Sequence, residues 1–277
     1  MRKITVIIAL ILSSSSIINA QDLEKVKGNR ELSINLTYVD EFEKIVVGED
    51  FEVELFYGKK PSVEIEIDSN LHEYIDIQVV QGVLTLKTTR DIREKQLNIK
   101  VNYGDTFKDI EVNEDAEIRS LTSLEIPNAS LKTTGSAKAY LNIKAEQFSF
   151  TAIDKAKVKL NITANTATIV MSDNARMEAL INSPETKIDL YQRVDATVEG
   201  SAADFTIRAD NDSKFDGKNF TTKNATVNAE ISSEVYTEVT DLITIEASGS
   251  SEIYLYGNPK ININRFTDSA KIQKKEK

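Results

Sequence analysis

The sequence contains no cysteine, no tryptophan and one histidine, His72. Without cysteine there is no thiolate site, no disulfide framework and no lipid anchor on a thiol. With a single histidine, zinc sites of the usual donor sets and Ser-His or Cys-His nucleophile systems are excluded. His72 follows Asn70-Leu71 and reads as a solvated loop residue. The ten glycines are too sparse for phosphate-cradling loops. Aromatics make up only 7% of the residues. Few aromatics with many Ile, Val, Thr, Asn and Asp suit thin, repetitive β structure better than a thick globular core. Missing cysteine does not argue for the cytosol, because a ladder of backbone hydrogen bonds needs no staple.

Long apolar runs are also missing. The longest stands at the N-terminus, where Arg2 and Lys3 precede Ile4 to Leu12 and a serine stretch ending in Ile18-Asn19-Ala20. That run is far shorter than the ~20 residues of a spanning helix. Residues 1–20 read as a secretory signal peptide cut after Ala20. The expectation is an exported chain, periplasmic or at the cell surface, with no membrane span after cleavage. The formal net charge is −10; removing Arg2 and Lys3 leaves 32 − 44 = −12. No basic stripe with interleaved aromatics is present, so nucleic acid is not an expected partner.

What is present is a repeat. The segments TGSAKAYL, DKAKVKL, DNARMEAL, QRVDATV, NDSKFDG, ISSEVYT, GSSEIYL and DSAKI align on Ala137, Ala156, Ala175, Val194, Ser213, Ser233, Ser251 and Ala270. The anchors are 19, 19, 19, 19, 20, 18 and 19 residues apart. A fixed period in this range is the signature of a solenoid. Two residues after each anchor stand Ala139, Val158, Met177, Ala196, Phe215, Val235, Ile253 and Ile272. Six before the first seven stand Leu131, Phe150, Ile169, Ile188, Ile207, Val227 and Ile245, and the residue after each anchor is charged. Apolar and wet positions alternate with period two, which belongs to strands.

Each copy is therefore read as one coil of a parallel β-helix. Neighbouring coils would lie about 4.8 Å apart. One coil cannot fold alone: some five buried apolar side chains at ~1.5–3 kcal/mol each do not offset ~1–2 kcal/mol of backbone entropy per residue. The resulting map is a lead-in at 21–30, taken as mobile, irregular coils at 31–115, regular coils at 116–272 and a charged tail at 273–277. The template also fits Ile45, Phe51 and Val53, and again Ile110, Ala116 and Ile118. The 65 residues between Phe51 and Ala116 would hold three slightly long coils. EYIDIQVV, Gln81-Gly82 and VLTLKTT read as a hairpin-like pair, and RDIREK at 90–95 as an exposed loop or a turn of helix.

Several residues carry a family resemblance. Phe42, Ile45, Val47 and Gly48, then Asn70-Leu71, then Gly82, Leu84 and Leu86, and late in the chain Gly249, Ile253, Gly257 and Pro259 match a recurring pattern. On these residues the chain resembles the bacterial auto-transporter adhesin head domain, or head GIN domain, over most of its length. Of the regular turns only Gly135 and Gly249 keep the family's glycine; the others use Asp, Asn, Gln or Ile. The resemblance implies an envelope protein folded as a right-handed β-helix.

Parallel β-helices also host polysaccharide-cleaving enzymes, whose sites cluster acids on one face. Asp154 and Asp173 stand 19 apart and would stack on adjacent coils, where a pair could bind Ca²⁺ or share a proton. The column continues as Gln192 and Asn211, which favours a plain turn column. Both aspartates would also serve as counter-charges to Lys138, Lys157 and Arg176. The six Asn-x-Ser/Thr triplets are read as composition. Tyr236 and Tyr254 share an outward offset on adjacent coils, and Tyr256 points the same way, as does Tyr140 several coils earlier. Exposed tyrosines on a flat β face can hold sugar rings. The expectation is thus a non-catalytic binding or adhesion module without cofactor or metal, contacting carbohydrate or another envelope component through Tyr236, Tyr254 and Tyr256. A polysaccharide lyase or hydrolase relative, and a periplasmic scaffold or lipid-binding protein, are the alternatives.

Overall fold

The computed structural model describes residues 25–277. The expected signal peptide at 1–20 lies outside the described residues. The rest is nearly all strand, wound into a β-solenoid of about nine turns with coils of ~19 residues. Residues nineteen apart sit over one another. On one wall Phe150 pairs with Ile169, Ile169 with Ile188, Ile188 with Ile207, and Ile207 with Val227, all in parallel register. On the other wall Ala139, Val158, Met177, Ala196 and Phe215 form the matching column. Ile169, Ile188 and Ile207 are fully buried. The wall before each anchor is called the back sheet here, and the wall after it the front sheet.

The corner between the sheets explains the anchor column. Two residues before each anchor the backbone turns left-handed: Gly135, Asp154, Asp173, Gln192, Asn211, Ile231, Gly249 and Asp268 all have φ between 59° and 70°. Glu49 and Glu114 extend the same column upstream. Glycine, Asn and Asp tolerate this region, whereas a β-branched residue such as Ile231 is strained there. Directly after the corner the anchor slot points inward, and in most coils it takes a small side chain, with Val194 and Phe51 as the larger occupants. Ala137, Ala156, Ala175, Ser213, Ser233 and Ser251 fill it, all buried. The one coil with a 20-residue spacing shifts register against both neighbours, between Thr197 and Glu199 of the coil before it and, against the coil after it, between Gly217 and Thr221 and between Thr222 and Asn224.

Three expectations for the N-terminal part are corrected. The strands Lys44–Val47 and Glu52–Tyr57 pair directly with Asp109–Val112 and Glu117–Ser120. Ile45 meets Ile110 and Val53 meets Ile118. Phe51 and Ala116 are therefore on adjacent coils, with no three coils between them. The intervening chain leaves the solenoid and returns on its far side, where Val83–Thr88 and Asn98–Tyr103 cover the first coil's other edge. Antiparallel strands then close that end. Ile75–Val80 folds onto Val83–Thr88 through Gln81-Gly82, with φ of 51° and 75°. Ser62–Asp68 runs against Asn98–Tyr103 and carries Leu32–Tyr38 on its other edge. Second, of the two readings of RDIREK the helix turn fails: the stretch is mostly exposed and irregular, with Ile92–Arg93 a short strand, and among the described residues the one turn of 3-10 helix is at His72–Tyr74.

Third, the lead-in is pinned from Lys25 onward. Val26–Lys27 pairs with Ile92–Arg93. The Asp68 carboxylate, fully buried, accepts from the Arg30 N–H at 2.5 Å and the Lys95 N–H at 3.1 Å. Gly28 lies so close to Asp68 that an added Cβ would stand 2.2 Å from its Oδ2. By parity Asp68 points out of the solenoid, and the lead-in is what covers it.

Candidate binding face

The front sheet presents three outward columns, at one, three and five residues after each anchor. The middle column contains Tyr140, Lys159, Glu178, Thr197, Asp216, Tyr236 and Tyr254. Tyr236 and Tyr254 face each other in register and stack, with centroids 4.3 Å apart and planes 13° from parallel. Tyr256 lies on the same face, opposite Glu238. All three are half-buried.

The stacked pair is closed at both ends. Lys214 Nζ stands 5.5 Å from the Tyr236 ring centroid, and Lys275 Nζ 4.9 Å from that of Tyr254. A molecule approaching from solvent therefore meets ring edges and hydroxyls instead of ring faces. Each hydroxyl donates to a glutamate two residues back: Tyr236 to Glu234 at 3.4 Å, and Tyr254 to Glu252. The Glu252 bond and partial burial hold the Tyr254 hydroxyl well above the usual phenol range. Tyr236 is raised too, chiefly by burial and then by Glu234. Glu252 is held below the usual carboxylate range by hydrogen bonds from Lys271 and Tyr254. At neutral pH the stacked pair thus offers neutral phenols beside the ionised Glu252 carboxylate.

Further along the same sheet two shallow concavities adjoin, of about 640 and 300 Å³. Both are lined by Tyr140, Lys159, Glu178 and Thr197. Leu180, 42% exposed, contributes an apolar floor to the larger one. Arg119 sits 5.7 Å from the Tyr140 ring. Three carboxylates line these hollows, Glu178, Asp195 and Glu199; Glu178 faces Thr197 across the ladder and so lies diagonally from each of the other two, at about 7–8 Å. Glu178 is paired with Lys159 at 2.9 Å. Asp195 and Glu199 lie four residues apart on one strand, a separation of about 13 Å along the strand. Two carboxylates sharing a glycosidic bond stand about 5–9.5 Å apart.

Asp154 and Asp173 stack in the corner column as expected. Their carboxylates serve the backbone: Asp154 accepts from the Gly135 N–H at 3.0 Å and Asp173 from the Asp154 N–H at 3.4 Å. Asp268 does the same for Gly249 at 3.0 Å. Each corner acid caps the left-handed residue one coil earlier. These aspartates are not counter-charges to the outward lysines; Lys138 pairs instead with Glu117 at 3.5 Å. His72 is half-buried, its Nε2 2.9 Å from Ser33 Oγ, and is no free loop residue. Among the described residues no group of His, Cys, Asp and Glu is placed to hold a metal ion, and no helix is long and apolar enough to cross a membrane.

The class the fold defines is a filled β-solenoid with open, polar-rimmed hollows on one wall. The chain belongs to the family described as "Putative auto-transporter adhesin, head GIN domain", whose profile matches residues 41–180 and 154–259. Three solved structures share the fold. A "putative lipid binding protein" from Parabacteroides distasonis has a TM-score of 0.65 at 17% identity, covering 91% of this chain and 99% of its own. A "putative adhesin" from Parabacteroides merdae has a TM-score of 0.65 at 16% identity, covering 90% and 98%. A second "putative adhesin" from P. distasonis has a TM-score of 0.64 at 14% identity, covering 91% and 100%. No curated protein matches the chain. The motif residues Phe42, Ile45, Val47, Leu71, Leu84, Leu86 and Ile253 are all buried, so the family pattern records the solenoid's core.

Proposed function

We propose that this protein is an exported, non-catalytic binding module of the bacterial envelope that contacts carbohydrate through the outward face of its front sheet. The observation that carries the reading is the placement of Tyr140, Tyr236, Tyr254 and Tyr256 on one wall beside open hollows. An extended polymer can lie along such a wall, across successive coils. Tyrosine edges with fixed hydroxyls, and the carboxylates of Glu234 and Glu252, supply acceptors and apolar contact suited to sugar rings. The pairing of Glu178, the one carboxylate near both of the others, with the Lys159 ammonium supports the non-catalytic reading.

A glycan array tests the proposal. Wild type is expected to bind a subset of glycans, and Tyr254→Ala and Tyr256→Ala to weaken that binding about tenfold or more. Circular dichroism would verify that the variants remain folded. Unchanged binding in folded variants removes the tyrosine site, and turnover of a polysaccharide by the wild type overturns the non-catalytic reading.

A further inference from the structure

Among the described residues, Leu32–Tyr38 is the outermost strand of the front sheet. Its partner is Ser62–Asp68, antiparallel, with Leu32 opposite Asp68 and Tyr38 opposite Ser62. Hydrogen bonds at the two ends show which backbone groups this pairing uses. The Ser69 N–H donates to the Glu31 carbonyl at 2.8 Å, and the Val39 N–H donates to the Pro61 carbonyl at 3.2 Å. Residues 31 and 39 therefore sit in hydrogen-bonded pairs, and alternation extends this to Ser33, Asn35 and Thr37. The N–H and C=O groups of Leu32, Ile34, Leu36 and Tyr38 point the other way, off the sheet.

The side chains add to the anomaly. Leu32, Ile34, Leu36 and Tyr38 are 44, 63, 46 and 67% exposed. Ser33 and Thr37, on the opposite side of the strand, are half-buried. Proteins usually blunt an open edge with lysine, proline or a bulge. The stretch LSINLTY has neither lysine nor proline, and its pairing register runs without a bulge.

We propose that this edge pairs with the same edge of a second copy, antiparallel about a two-fold axis at Asn35, giving a closed dimer. Register and hydrogen bonding agree on this occupant. With Asn35 on the axis, Leu32 faces Tyr38 of the second copy and Ile34 faces Leu36. All four carry the free backbone groups, so each facing pair can exchange two hydrogen bonds. A slip of one residue would set free groups against groups already bonded. Apolar side chains also meet apolar ones at every such position. Charge favours the same arrangement: Arg30 precedes the strand and Asp40 follows it, so antiparallel pairing brings opposite charges together at both ends. A two-fold contact uses both edges and stops at two copies.

Sedimentation equilibrium on the purified protein is expected to give twice the chain mass. Ile34→Lys is expected to weaken the dimer at least tenfold while leaving the circular dichroism spectrum unchanged. Engineered cysteines fix the register, since the chain has none of its own. The two Asn35 residues would form a non-hydrogen-bonded pair with Cα atoms about 4.5 Å apart, inside the disulfide range of about 4.4–6.8 Å. Asn35→Cys is therefore expected to cross-link under mild oxidation. Thr37→Cys is not, because its counterpart would lie about 13 Å away. A monomer at about 100 µM, well above the constants of most specific dimers, overturns the proposal. So do equal cross-linking of both cysteines and an open-ended polymer that grows with concentration.

Discussion

Ser213, Ser233 and Ser251 occupy the anchor slot that alanine fills in most other coils. Their hydroxyls are buried and have no hydrogen-bond partner. An orphaned hydroxyl costs about 1–3 kcal/mol, so Ser233→Ala is expected to stabilise the fold by about 1 kcal/mol. Two residues earlier, Ile231 holds φ of 62° where neighbouring coils use Asn211 and Gly249. Ile231→Asn should relieve roughly 1 kcal/mol of left-handed strain. Thermal or urea denaturation of both variants checks these signs, and a lowered midpoint in either contradicts its account. At this scale the sequence was informative about position and silent about partners. The shared offset of Tyr236 and Tyr254 put them side by side on adjacent coils, because a repeat of about 19 residues aligns equal offsets, but on sequence alone they read as a surface for sugar rings, and the two rings stack on each other instead. Nothing in the period foretold that Lys275, on the last stretch of chain, would close the outer ring face.

Glu111 ties three neighbouring strands of the back sheet together. Lys44 reaches it from one side at 2.5 Å and Lys132 from the other at 3.1 Å. Burial pushes its carboxyl up, but the two ammonium groups outweigh this and hold it below the usual glutamate value. A depressed folded pKa contributes stability above the ordinary glutamate value of about 4.3, and this is lost as pH falls through the lower folded value. Glu111→Gln is therefore expected to cost about 1 kcal/mol at neutral pH, with the gap to wild type closing as the solution is acidified. Denaturation midpoints from neutral to acid pH measure this, and a gap that widens in acid would refute it. The same elements show why the N-terminal part is not legible from alternation alone. The motif around Phe51 and that around Ala116 were both recognised, yet alternation carries no strand direction. Ser62–Asp68 and Ile75–Val80 alternate as coil strands do but run antiparallel. Only long-range pairing distinguishes three coils from one excursion.

Across the whole molecule stability is a sum over neighbouring coils. Deleting residues 157–175, one full period, joins Ala156 to Arg176 and keeps every corner in phase. The shortened protein is expected to fold cooperatively with unchanged β content, whereas removal of half a period should abolish the transition. Circular dichroism melts of the two deletions decide, and equal tolerance of both would deny the stacking. The end coil answers to different rules. Strands Lys44–Val47 and Glu52–Tyr57 are flanked on both sides, by chain that follows them in sequence. Once the edge strand Leu32–Tyr38 has been peeled away, a pull from Lys25 reaches a first coil bonded along both of its edges, which cannot leave the stack without breaking two ladders at once. A stack built strictly in sequence order would unzip from its end under a modest pull; this one begins with a clamp.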